Sequence, residues 1–303
     1  PSPIQKMLTL FNVFLMIFFL LESMAAILGN GFIIIVLGRE WVRCWTLSPG
    51  DMILASLGIS RFFLHWAAVV GNFYRYFSSG DNSLYFDIFW NFTNVTTFWF
   101  TTWLAVFYCV KISSFTHPIF FWLKWRISRC VPWLLLCSLL ISNLIYITSF
   151  VKTYLVLYLP VTGNYSEKAD RAFVSRRYSH FSMQMLVLFI PFLFFLASTI
   201  LVISSLCRHL RNMQHHSAGH QDQSIQVHIT TLKSLFYFLI LYTSYVLPLI
   251  IAITPPISIC RCQFWVCQVV IYAGISIHPA FLILSSSKLR RALKKMLHNP
   301  ETA

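Results

Sequence analysis

Groups that could do chemistry are few in this sequence. The tightest polar cluster is Trp90, Asn91 and Asn94, an indole and two amides within about one helical turn. Trp90 and Asn94, at i and i+4, share a helix face. These groups do not break bonds. Amides donate and accept hydrogen bonds without a fixed charge, so the cluster either ties one helix to another or recognises a neutral polar ligand. Gln184, Tyr245 and Gln268 are the candidates to face it from other segments. Histidine, the usual base, occurs in the apolar stretches only as isolated His65, His228 and His278. Eight cysteines scatter without a CxxC pair, and no His/Cys spacing suits zinc. The sequence therefore predicts no enzyme, no metal centre and no cofactor.

The elements that position this cluster must be membrane helices. Of 303 residues, 57% are hydrophobic and 11% charged, with mean hydropathy +0.69, too apolar for the surface of a soluble domain. A span needs about 20 apolar residues, and about seven stretches qualify, near 8–38, 50–77, 87–112, 127–150, 181–207, 227–253 and 264–285. The expected fold is an all-α, seven-transmembrane helix bundle. It forms one domain over 1–303, with a basic cytoplasmic tail at 286–303. Polar or Pro/Gly-rich joints separate the spans, as at Ser48-Pro49-Gly50, Thr116-His117-Pro118 and Pro255-Pro256. The first span is expected to act as its own uncleaved insertion signal.

A formal charge of +14 points to topology rather than nucleic acid, because basic residues flank apolar spans on the cytoplasmic side. Fourteen Lys and Arg fall on one side and eight on the other, and five of those eight share the long 151–180 loop, where the bias counts less. The N-terminus is thus expected outside and the C-terminus in the cytoplasm. The sequon at Asn164 lies in that outer loop and agrees. Asn91 and Asn94 also begin sequon patterns, but inside the third span, where these are chance matches. Cys260, Cys262 and Cys267 cluster at the outer end of the last two spans; being odd in number, they leave a disulfide open.

The third span ends at Lys111, where a cation suits a helix C-terminus and snorkels to headgroups. Phe115, Phe120, Phe121, Trp122 and Trp125 then interleave with Lys124 and Arg126. This aromatic-basic segment is either a membrane-lipid anchor or a docking surface for a cytoplasmic partner.

Phe107, Tyr108, Lys111, Ile112, Phe115 and Thr116 resemble the third-helix ending of the type 2 (bitter) taste receptors, a branch of the seven-helix G-protein-coupled receptors. The resemblance runs through most of the chain. It includes Gly29-Asn30-Gly31-Phe32-Ile33, Ser56 to Phe62 around Arg61, Ser205-Leu206 with His209 and Met213, His228 with Leu232-Lys233, and His278 with Leu282-Ile283-Leu284 and Lys288-Leu289. It implies a plasma-membrane receptor that binds a small bitter agonist and activates a heterotrimeric G protein, gustducin or an inhibitory type. It also implies ligand contact at Trp90 and Asn94, with Asn91 beside them, and a pocket floor at Tyr245. Gln268 takes a position that is Glu in some relatives. Without a carboxylate there, neutral, hydroxyl-bearing ligands are expected. Tyr108, Lys111, His209 and Lys233 fall where the G protein would couple.

The chain departs from the pattern at Pro279, where many members have a Ser that bonds the arginine matching Arg61. A charge in the hydrocarbon costs a few kcal/mol, so Arg61 needs other partners, and Asn30 and backbone carbonyls of the seventh span are the expected ones. Two other readings share the architecture. A vomeronasal type 1 receptor would end its third helix differently, and a transporter would want internal repeats and intramembrane acids, which are scarce here.

Overall fold

The computed structural model describes residues 3–77, 83–112, 118–158, 187–208, 211, 236–237, 239–240, 242–246 and 261–298. Helices α1 (Pro3–Cys44), α2 (Pro49–Phe77), α3 (Ser83–Ile112) and α4 (Pro118–Tyr158) are followed by α5 (Val187–Arg208). The described helical positions within 236–246 are called α6; α7 (Arg261–Ser285) and α8 (Ser287–His298) complete the order. Gln184, His209, Lys233 and Asn164 lie outside the described residues, as do Cys260 and the side chain of Cys262.

Five of the described helices are long and apolar enough to cross a membrane: Lys6–Cys44, Pro49–Phe77, Phe121–Thr148, Val187–Arg208 and Phe264–Ser285. Their large exposed side chains, such as Leu10, Phe14, Leu21 and Leu28 on α1, have no protein to cover them and meet lipid. The 30-residue α3 is not among the five because it carries a polar stripe. Thr93, Asn94, Thr97 and Thr101 repeat at helical spacing and are buried, which marks α3 as the central helix, packed between α2 and α4. Its hydroxyls are satisfied locally or across helices. Thr93 donates to the Phe89 and Trp90 carbonyls, Thr97 to Ser60 Oγ, and Thr102 to the Pro191 carbonyl of α5 at 2.9 Å. In a bilayer this satisfaction is obligatory, since no water competes for the groups.

Local signals set the helix ends. Trp45, with φ 55°, closes α1 in the left-handed region, and its N–H bonds the Trp41 carbonyl. Ser48 then caps α2: its Oγ accepts from the Asp51 N–H at 3.2 Å and donates to the Asp51 carboxylate at 2.7 Å, with Pro49 at the first helical position. The Ser286 hydroxyl accepts from the Leu289 N–H at the start of α8.

Two apolar clusters fill the bundle. One joins α1, α2, α3, α5, α6 and α7 through Phe19, Leu64, Phe98, Phe195, Tyr242, Tyr245, Trp265 and Tyr272. The other, nearer Lys111 and α8, joins Ile33, Leu57, Leu104, Val131, Leu282 and Leu289. Leu289 is wholly buried there, so α8 is pinned by its apolar face while Arg290, Arg291, Lys294 and Lys295 stay exposed.

Candidate ligand site and polar core

Residues of the α3 cluster are engaged with other helices. The Trp90 indole N–H donates to the Tyr272 hydroxyl of α7. The Tyr245 hydroxyl of α6 donates to the Asn94 amide oxygen. Asn94 is 2% exposed, and Asn91, one turn away, is half-buried. Gln268 meets α2 rather than α3: its Oε1 accepts from Asn72 Nδ2 at 3.1 Å, and Asn72 Oδ1 accepts from Arg75 at 3.0 Å. Trp90, Asn94 and Tyr245 are therefore brought together, whereas Gln268 belongs to a neighbouring amide pair. Around them Phe98 packs on Tyr242 and Tyr245 with ring centroids 5.3 and 5.2 Å apart, and Phe19 lies 5.4 Å from Tyr272. These groups form a neutral, aromatic set of hydrogen-bonding partners, the composition that favours small-molecule recognition between helices.

Tyr272 and Asn72 were not among the sequence candidates. Tyr272 stands one turn after Gln268 on the same face, and that spacing is the signal that could have found it.

Below this layer sits Arg61, 2% exposed. Its guanidinium bonds the His278 ring Nδ1 of α7 and donates to Thr101 Oγ1 of α3 at 3.2 Å. The expected partner, Asn30, is not bonded to it. Asn30 Nδ2 donates instead to the Ala26 carbonyl one turn back at 2.9 Å, and its Oδ1 has no partner among the described residues. The reason is reach: an amide on α1 closes readily on its own helix, and Arg61 extends toward α3 and α7. The His278 ring nitrogen thus serves as the acceptor for the guanidinium. Pro279, the residue next to that histidine, instead packs against Gly29, where an added Cβ would lie 3.0 Å from the Pro279 Cβ.

At the other end of the bundle Tyr108 is half-buried in the second apolar cluster, and Lys111 is exposed with its Nζ 5.8 Å over the Phe107 ring. Lys288 at the start of α8 donates to Glu40 of α1 at 2.7 Å and to Asp51 of α2 at 2.6 Å. This clamp joins three helices. Cys267 is a half-buried free thiol.

A bundle of membrane-spanning helices with a polar core around a buried arginine, and an uncharged aromatic-amide site toward one end, marks a multi-pass helical membrane protein. Residues 7–301 match the family model described as taste receptor protein (TAS2R). The chain is 46% identical over 290 residues to taste receptor type 2 member 134 of Rattus norvegicus, covering 95% of this chain and 87% of the relative. It is 42% identical over 289 residues to member 16 of Homo sapiens, covering 93% and 97%. To member 41 of Pan paniscus it is 43% identical over 293 residues, covering 94% and 95%. The chain belongs to the taste receptor type 2 family, the bitter-taste branch of the G-protein-coupled receptors.

Proposed function

We propose that this bitter taste receptor binds neutral, hydroxyl-bearing small molecules among α3, α6 and α7, at Trp90, Asn91, Asn94 and Tyr245, with Gln184 and Gln268 at the margin. The observation that carries the reading is the pair of cross-helix bonds Trp90–Tyr272 and Asn94–Tyr245. A ligand hydroxyl that replaces one of these partners changes how α3 is held to α6 or α7, which couples occupancy to helix arrangement. The groups that bond one another here, an indole, two phenols and an amide, carry no fixed charge, so they offer a ligand hydroxyl donors and acceptors rather than a counter-ion.

In this reading the single seven-helix domain lies in the plasma membrane with its N-terminus and a glycosylated Asn164 outside and its basic tail inside. Movement of the segment around Lys233 relative to Tyr108 and Lys111 opens a cleft to a G protein of the gustducin or inhibitory type, with His209 at its edge. Membrane lipid is the remaining partner, and no catalysis is assigned.

The test is an intracellular calcium response in cells expressing the chain with a taste-type α subunit, against a panel of bitter compounds that includes neutral glycosides. A concentration-dependent response that is lost in Trp90→Ala and Asn94→Ala at equal surface level supports the reading. An unchanged response in both variants overturns the site.

A further inference from the structure

We infer that the layer between α1, α2 and α7 around Arg61 is a binding site for a small inorganic monovalent anion such as chloride. The register of the three helices defines the layer. At its upper edge the Tyr272 ring packs 5.4 Å from both His65 of α2 and Phe19 of α1. At its lower edge Arg61 bonds His278, and Gly29 abuts Pro279. Ser23 of α1 lies between residues 19 and 29, Ser276 of α7 between 272 and 278, and Arg61 and His65, one turn apart, bracket the same depth on α2.

Each of these residues is buried and has an orphan polar atom among the described residues: Ser23 Oγ, Arg61 Nε, His65 Nδ1 and Nε2, and Ser276 Oγ. Buried polar atoms in native proteins are almost always paired, so four residues with orphan atoms between the Tyr272 and His278 levels point to something that bonds their donors. Two hydroxyls, a guanidinium N–H and whichever ring nitrogen of His65 carries its proton can all donate.

Charge selects the occupant. A guanidinium keeps its proton in proteins, and among the described residues Arg61 has no carboxylate within ion-pair reach; its bonded partners are a hydroxyl and an imidazole. Buried charges are normally paired. Asn30 Oδ1 is also without a partner, and a water between it and Arg61 Nε would satisfy both atoms without balancing the charge. Glu22, the carboxylate beside Ser23, forms no ion pair with Arg61, and its buried Oε1 has no partner. An anion held by Arg61 and the neighbouring donors balances the charge and accepts from the guanidinium N–H, the hydroxyls and the protonated nitrogen of His65.

The test uses the purified full chain in detergent, with its thermal unfolding midpoint measured in sodium chloride, sodium bromide and sodium gluconate at constant ionic strength and pH. The expected result is a higher midpoint in chloride and bromide than in gluconate, the folded-to-unfolded ratio rising about tenfold for each tenfold increase in halide above saturation. Arg61→Met should remove the halide dependence, and Glu22→Gln should keep it. Should Arg61→Met not accumulate folded, His65→Phe and Ser276→Ala replace it, each weakening the halide dependence. Equal midpoints in halide and gluconate would mean that the layer holds water alone. Halide dependence that survives in Arg61→Met, or in both replacement variants, would place the ion elsewhere. Either of these two results overturns the inference.

Discussion

The Tyr245 hydroxyl donates to the Asn94 amide oxygen, joining α6 and α3 across 151 positions of chain inside the apolar core. Leaving a buried acceptor unpaired costs about 1–3 kcal/mol, so Tyr245→Phe should reduce stability while keeping the ring contacts to Phe98. Agonist potency should fall about tenfold, the change that each 1.4 kcal/mol brings. In a double-mutant cycle on agonist EC50, Tyr245→Phe and Asn94→Ala should be clearly less than additive, because either one removes the shared bond. Strict additivity would show that the two residues act apart.

Trp90 does two things, filling space in the core and bonding Tyr272. Trp90→Phe keeps an aromatic ring but frees the Tyr272 hydroxyl, and Tyr272→Phe frees the indole N–H. Both are expected to shift dose-response curves by a similar factor, about tenfold if the bond is worth ~1.4 kcal/mol. Trp90→Ala, which also leaves a cavity worth about 3–5 kcal/mol, should lower surface expression as well. Surface labelling alongside calcium responses separates the two effects.

The membrane class was legible in the sequence because burial in lipid demands long apolar runs, and these leave a one-dimensional pattern. Trp90, Asn94 and Arg61 could be singled out for the complementary reason, as polar groups that such runs tolerate only when something satisfies them. Their partners were not legible. Arg61 was expected to reach Asn30, but its bonds go to His278 and Thr101, 217 and 40 positions away. Helical periodicity gives the face a residue occupies, not which of several inward-facing polar groups on other helices it will meet. Tyr272 was missed for that reason. Lys288 stood in the sequence as part of the resemblance and as a charge of the basic tail, with no sign of the Glu40 and Asp51 partners between which the fold sets it.

That lysine gives a prediction outside the membrane. Partial burial lowers the Lys288 pKa, but hydrogen bonds and charge from Asp51 and Glu40 outweigh it, and the net shift is upward. A raised amine pKa contributes stability that is fully present below the unfolded value and is lost only as pH rises through the folded one. The lysine side of the clamp should therefore be constant across physiological pH and weaken only above about pH 10. The Lys288 side chain is over a third exposed, so each pair is worth at most about 1 kcal/mol. Lys288→Met should lower the unfolding midpoint by a few degrees and increase hydrogen exchange in α8, while Lys288→Arg should retain most of the wild-type behaviour. Unchanged exchange in Lys288→Met would mean that Leu289 alone anchors α8.

Gly29 and Gly38 lie on the same helix and should respond oppositely to alanine. At Gly38 nothing lies within 4 Å of an added Cβ, so alanine should gain helix propensity, about 1 kcal/mol. At Gly29 the new methyl would sit 3.0 Å from the Cβ of Pro279, a ring atom that cannot rotate away, and α1 would have to move off α7. Overpacking of this kind costs about 1–3 kcal/mol, which exceeds the propensity gain. The separation also falls one residue from His278, so Gly29→Ala should disturb the Arg61 bond as well as the packing. The expected outcome is a lower unfolding midpoint and reduced surface level for Gly29→Ala, against an equal or higher midpoint for Gly38→Ala. Equal behaviour of the two variants would show that the α1–α7 approach is looser than 3.0 Å implies.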